Sequence, residues 1–288
     1  DLADPAAGLV DVVRTMQIVR LGKGVDRTGR LDPEAIERVR VVLTDYARQI
    51  AELKAEKVRL VATSATRDAS NAADFHDMVL ATLGVPPEVI TGDEEARLSF
   101  LGATRGLPAD AQPPYLVVDI GGGSTEFVLG SSSADAAYST DIGCVRMTER
   151  HLKDGDPPSP VQISGAAADI DAALAAVREA VPVDEARTLV GLAGSVTTVA
   201  GIALDLPEYD PARIHLSRIT ATQVHDVTRR LLHATRAERA KFGVMHPGRI
   251  DVIGAGALIL DRIMREYGFG AVVVSERDIL DGIAWSLL

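Results

Sequence analysis

Cysteine occurs once in the 288 residues, at Cys144, so an internal disulfide is excluded and a reducing, cytoplasmic compartment is expected. One thiol is also too little for a soft-metal site, and Cys144 is expected in the core. There is no run of roughly eighteen apolar residues, which excludes a membrane-spanning helix. No signal-peptide pattern is recognised. Positive charge is scarce: 30 Lys and Arg against 41 Asp and Glu leave a net charge of −11. A nucleic-acid binder normally shows a basic surface, so that class of partner is not expected. Two familiar glycine loops are missing as well. Gly121 and Gly123 fit the start of G-x-G-x-x-G, but Glu126 stands where the third glycine belongs, and a β-branched and aromatic segment follows instead of a helix. The G-K-[ST] ending of a Walker A loop is absent, since no lysine is present there.

At 47% hydrophobic and 25% charged, the chain has the make-up of an ordinary globular protein, and its length suits two domains. Asp32 and Pro33 start a helix running to about Leu53. A strand at 58–62, a helix at 71–83 stopped by Gly84, a strand at 88–90 and a helix from Gly92 to about Arg105 follow. The proline-rich stretch LPADAQPP, 107–114, is read as a boundary between domains 1–112 and 113–288. Beyond it the spacing predicts strands at 115–119, 124–129 and 136–142, then helices at 145–152 and 165–180. TLVGLAGS is read as a strand ending in a turn, with a helix beginning in SVTTVAGIAL; further helices are expected at 221–234 and 248–267. A strand at 271–275 and a helix at 277–287 complete an alternation that means α/β layers.

The chemistry concentrates in LVVDIGGGSTEFVLG, 116–130, where two apolar strands meet at three glycines. A plain β-hairpin would explain Gly121, Gly122 and Gly123, because glycine tolerates the positive φ of tight turns. It would not explain Asp119 and Glu126 beside the turn, or Ser124 and Thr125 within it. Uncovered backbone N–H groups bind anions, and a divalent cation between two carboxylates would complement a phosphate there. Both readings remain open on these residues alone. RLGKGVDRTGR carries Arg20, Lys23, Arg27 and Arg30, either as a solvated loop or as a steering patch for phosphate. VATSATRDASN empties a strand into Thr63, Ser64, Thr66 and Arg67 near a helix start, a place suited to anions or simply to a capped helix. In ITGDEEARLSF, Thr91 and Glu94 form a capping box, leaving Glu95 without a structural occupation. GLAGSVTT, with Gly194 and Ser195, could hold a phosphate or a base edge, or be a tight connection. Gly143 and Arg146 in DIGCVR leave the same choice.

Together MQIVRLGKGV, ATSATRDASN, ITGDEEARLSF, VVDIGGGSTEFVLG, DIGCVR, GLAGSVTT and SERDILDGIAW resemble the exopolyphosphatase / guanosine pentaphosphate phosphohydrolase family, in family order over almost the whole chain. TGDEEARL followed by DIGGGSTE is the specific part. The resemblance implies two ribonuclease H-like domains of the actin-like ATPase superfamily enclosing a cleft. It implies hydrolysis of the terminal phosphate of inorganic polyphosphate or of the 5′ end of pppGpp. By position, Glu95 matches the residue that activates the attacking water, and Asp119 and Glu126 match carboxylates that bind Mg²⁺ or position the nucleophile. Gly121–Ser124 match a phosphate-binding loop and Arg67 a residue facing the polyphosphate; Lys23, Gly143, Gly194 and Ser195 are taken as further substrate contacts. A K⁺ requirement is left open, and a homodimer is expected on family grounds.

Two departures from the family pattern stand out. The family opens with a strand carrying an aspartate–x–glycine–(T/S)–N–S phosphate loop, which should precede DLADPAAGLVDVV and which an intact enzyme is expected to need. The longer relatives add C-terminal helical domains, so a short form preferring short polyphosphates is expected. The rivals are an actin-like small-molecule kinase, which leaves Glu95 without a task, and a non-catalytic sensor of polyphosphate or (p)ppGpp, which has no use for a water-activating carboxylate.

Overall fold

The structure is a computed structural model that describes residues 10–288. The start of DLADPAAGLVDVV therefore lies outside the described residues. The chain groups into two compact units: residues up to Glu94 with Ile283–Leu288, and Glu95–Gly282. The segment 107–114 lies within the second unit.

In the first unit, α1 (Val25–Thr28) sits between Gly24 and Gly29, both at positive φ. Then α2 (Pro33–Leu53) starts as expected: the Asp32 carboxylate accepts from the Glu34 N–H and Pro33 occupies the first turn. Its buried residues, Ala35, Val39 and Leu43, recur every four positions, one stripe against the core. β1 (Val61–Ala62), α3 (Ser64–Arg67), α4 (Ala72–Leu83) and β2 (Glu88–Val89) follow. β1 and β2 pair in parallel, so the strand expected at 58–62 is ordered as a ladder only over its last two residues. Asn71 closes this core from the side: its amide oxygen accepts from the Leu31 N–H at 2.8 Å and its Nδ2 donates to the Leu31 carbonyl. Gly84, at φ 74, stops α4.

The division between units falls inside α5 (Gly92–Thr104). The second unit then builds a six-stranded sheet. β3 (Tyr115–Ile120), β4 (Thr125–Gly130) and β5 (Ala134–Thr140) form an antiparallel meander. α6 (Cys144–Met147) runs into a π turn, 148–152, where a regular helix was expected. α7 (Pro160–Ala180) begins five residues earlier than the sequence suggested. Ser159 and Gln162 form a reciprocal capping box with Pro160 at the first helical position, so the helix already starts in the proline-rich residues before 165. β6 (Thr188–Leu192) passes directly into α8 (Ala193–Ala203), without the turn expected between them, because Ala193 itself takes φ +67. α9 (Pro211–Ile214), β7 (Arg218–Thr220), α10 (Ala221–His233), α11 (Arg236–Arg239), α12 (Ile253–Glu266), β8 (Ala271–Val274) and α13 (Ile279–Trp285) complete the order, α13 ending in the first unit. α12 starts later than the expected 248, since His246 caps a separate short 3₁₀ turn at Pro247–Arg249.

The strand order is β5-β4-β3-β6-β8-β7, with β3, β6 and β8 parallel and β7 antiparallel to β8. A three-strand meander continued by two parallel strands is the ribonuclease H-like arrangement, and the α/β class is as read from the sequence. Alternation along β3 and β4 splits the sheet into two faces. Leu116, Val118, Ile120, Phe127 and Leu129 join the large core under α7, α8, α10 and α12. Val117 and Val128 point the other way, into a smaller core with Ala96, Phe100 and Ala103 of α5. Each fully buried side chain of this kind stabilises the fold by about 1.5–3 kcal/mol.

Candidate active site

The smaller core ends where the chemistry begins. Val117 pairs with Val128 across β3 and β4, and the next rung on the same face is Asp119 opposite Glu126. β5 adds Ser139 directly opposite Glu126. α5 covers this face, and Glu95 and Ser99, four residues apart, share one side of it. Strand period and helix period thus deliver Glu95, Ser99, Asp119, Glu126 and Ser139 to one place. All three carboxylate residues are nearly enclosed: Glu95 is 8% exposed, Asp119 9% and Glu126 1%.

Hydroxyl donors hold the two strand carboxylates. Ser99 Oγ donates to Asp119 Oδ2 at 2.7 Å, and Ser139 Oγ donates to Glu126 Oε1 at 2.8 Å. They do not cancel the cost of burial. Desolvation pushes Asp119 up to about 7; Asp278 and Glu95 add repulsion, while the Ser99 bond pulls the other way. Glu126 is pushed well above the ordinary carboxylate range, by burial first and then by the charges of Glu95 and Asp119. Carboxylates that feel one another this strongly make a site that asks for positive charge.

The glycine loop lies at the end of the same two strands. Its carbonyls are taken: Gly121 O accepts from the Cys144 N–H, and Gly122 O from the Val145 and Arg146 N–H groups at 2.9 and 3.1 Å. Arg146 Nε donates to Gly123 O at 2.7 Å. The Gly121 N–H bonds back to Ser124 O, whereas among the described residues no protein group accepts from the N–H of Gly122 or Gly123. With its carbonyls drawn to one side, the loop leaves these donors for an anion. The loop does join the antiparallel pair β3 and β4, but none of the three glycines uses the positive φ that favours glycine in tight turns. The glycine that close approach makes obligatory is Gly143, where a Cβ would stand 2.4 Å from Gly122 O. The structure thus places Gly143 beneath the loop, as its support.

Gly194 and Ser195 lie in the first turn of α8. Arg249 lies flat on Gly194, whose added Cβ would fall 2.1 Å from Nη2, and Nη1 donates to Thr198 Oγ1 at 3.3 Å. Ser195 packs against Gly256, and its hydroxyl meets the Cys144 thiol, which burial pushes up. Cys144 belongs to neither apolar core of the second unit; it is half-buried among these polar groups, which corrects its expected core placement.

Lys23 and Arg67 belong to the first unit. Lys23 is exposed in the turn before α1, and Arg67 Nη1 donates to the Ile90 carbonyl at 2.9 Å. Thr91 accepts from the Glu94 N–H as a capping residue should, but the Glu94 carboxylate bonds Arg59 at 3.0 Å. Glu94 is thus occupied structurally, by a different partner from the one expected.

Four residues of this region were not singled out from the sequence. Ser99 could have been found, since it lies one helical turn past Glu95. Ser139 needed the strand register. Asp278 sits inside SERDILDGIAW without a distinguishing spacing, and Arg249 inside a stretch read as plain helix. α5 meets the start of α13 through two glycines: a Cβ on Gly102 would lie 1.9 Å from Asp278 O, and one on Gly282 2.0 Å from Leu98 O. That backbone-to-backbone contact brings Asp278 to the carboxylates.

A ribonuclease H-like sheet whose central strands end in paired carboxylates and a glycine loop defines a phosphoryl-transfer class of protein. Residues 3–288 match the Ppx/GppA phosphatase family, and the chain belongs to that family of hydrolases. It is 49% identical over 300 aligned residues to exopolyphosphatase 2 of Mycobacterium tuberculosis, covering 99% of this chain and 93% of that protein. A crystal structure of an exopolyphosphatase-like protein superposes with a TM-score of 0.94 at 42% identity, covering 96% of this chain and 91% of the other. The Ppx/GppA enzyme of Aquifex aeolicus gives 0.77 at 32% identity, covering 94% and 88%. No helix among the described residues is long and apolar enough to cross a membrane.

Proposed function

We propose that the protein is an exopolyphosphatase, releasing the terminal phosphate of inorganic polyphosphate, and that it also converts pppGpp to ppGpp. The observation that carries the reading is the convergence of Glu95, Asp119 and Glu126 beside a glycine loop with two N–H groups free to meet phosphate oxygens. The kinship with exopolyphosphatase 2 supports polyphosphate as the substrate.

Phosphoryl transfer depends on in-line positioning and charge neutralisation more than on covalent help. Gly122 and Gly123 would hold oxygens of the terminal phosphate through backbone N–H groups. Glu95 would orient a water and take its proton as the bond to phosphorus forms. Asp119 and Glu126 fit a Mg²⁺ held by two carboxylates and substrate oxygens: they face each other on adjacent strands, and burial leaves their negative charge uncompensated. When bound, Mg²⁺ would neutralise charge developing on the transferring phosphoryl group. Ser99 and Ser139 keep the two carboxylates aimed while this happens.

Phosphate release from short polyphosphate, pppGpp and ATP with Mg²⁺ tests the reading, comparing the wild type with Glu95→Ala. Losing general-base assistance should lower kcat at least about a hundredfold. An unchanged rate would remove Glu95 from the reaction.

A further inference from the structure

We infer that Arg146 is a positioning residue, whose side chain aims a third backbone donor of the glycine loop, the Ser124 N–H, at the phosphate. The inference rests on the proposed phosphate-holding role of that loop. Residue 146 takes hold of two successive carbonyls: its N–H donates to Gly122 O at 3.1 Å and its Nε to Gly123 O at 2.7 Å. The second bond is of the short, charge-assisted kind. A peptide group is planar and trans, so the N–H that follows each carbonyl points the opposite way. Backbone bonds from Cys144, Val145 and Arg146 thereby direct the N–H groups of Gly122 and Gly123. The Ser124 N–H shares its peptide plane with Gly123 O, and that carbonyl is held by the Arg146 side chain.

Ser124 is 3% exposed, and among the described residues no protein group accepts from its N–H. Buried backbone N–H groups are almost always paired, so this one is placed for an acceptor that arrives. The Ser124 carbonyl is occupied on the other side, accepting from the Gly121 N–H at 3.0 Å. Arg146 is anchored at both ends. The Met147 N–H beside it bonds Gly143 O at 2.9 Å, and Asp141 Oδ1 lies 3.7 Å from Nη2. The atom that meets the loop is Nε, so what the loop requires of Arg146 is a donor at that position and not a charge.

Three replacements separate donor from charge. Glutamine puts an uncharged amide nitrogen where arginine has Nε; lysine keeps the charge but has a carbon there; methionine has neither. Phosphate release from short polyphosphate is measured per folded protein, with thermal melts alongside. Loss of one transition-state donor costs about a hundredfold or more in kcat. Arg146→Met and Arg146→Lys, which misdirect one, should lower kcat/KM at least about tenfold, with Arg146→Gln well above both and all three melting alike. Glutamine no better than methionine, lysine as good as glutamine, or smaller losses throughout overturn the inference. So does a loss that follows a lowered melting temperature or a failure to fold, since Arg146 would then only support the fold. Calorimetric titration of inorganic phosphate into the same proteins separates this claim from the proposed reaction. If wild type is active and glutamine does not rescue, only the role of Arg146 fails. If wild type releases no phosphate from polyphosphate yet binds phosphate, with glutamine above lysine and methionine, the reaction fails and the role of Arg146 stands. If wild type binds none, both fail.

Discussion

Replacing Asp119 by asparagine should make the metal-free protein more stable while removing its activity. In the native state burial and its acidic neighbours move Asp119 from the ordinary 3.8 up to about 7. At roughly 1.4 kcal/mol per factor of ten, ionised Asp119 costs about 4 kcal/mol of native stability above neutral pH, an upper figure because the neighbours can relax. The direction with pH follows. A folded value raised above the unfolded one gives stability that is complete below about pH 4 and lost as pH rises through about 7. Asparagine has no such loss. Its carbonyl can still accept from Ser99, and its amide can donate to the acids around it.

The stability advantage of Asp119→Asn should therefore be near zero at about pH 4, grow across the interval and level off above about pH 7. Urea melts in the presence of chelator at a series of pH values would measure it. At about 2–4 °C per kcal/mol, a gain of even half the upper figure is plain in a thermal melt. Saturating Mg²⁺ should narrow the gap by stabilising only the wild type. A variant that is no more stable than wild type at pH 8 in chelator would refute the claim that these carboxylates are held at a cost for function.

One further outcome follows from the close contacts. Gly102→Ala forces a Cβ to within 1.9 Å of Asp278 O, a backbone atom that cannot swing away. It should cost about 1–3 kcal/mol or more in a denaturant melt and lower activity, whereas Gly270→Ala, with nothing within 4 Å, should be near neutral; equal effects would discount the contact.

How much could be foreseen varied with the range of the interaction. Helix α2 was legible because Asp32, Pro33 and a four-residue apolar spacing are local signals. The three acids were legible as a motif, but their meeting depends on non-local pairing: Asp119 is opposite Glu126 only in the observed register, and Ser139 enters from a third strand. The start of α7 was hidden by PPSP, which reads as a linker until Ser159 and Gln162 are seen to cap each other. Asp278 was not legible at all, because nothing nearby in sequence reveals that Gly102, some 170 residues earlier, clears a path for it.

The glycines show that the reason for a motif need not be the one its spacing suggests. Hairpin logic explains a glycine run by positive φ, yet Gly121, Gly122 and Gly123 do without it. The chain 143–146 lies against the loop and bonds its carbonyls, and that approach requires Gly143 to lack a side chain. Peptide groups are rigid planes, so fixing the carbonyls on one side fixes the N–H groups on the other. The loop's donors are therefore oriented from DIGCVR, some twenty residues downstream. An alanine at Gly143 would displace the loop without touching any phosphate, so loss of activity there would reflect misdirected donors.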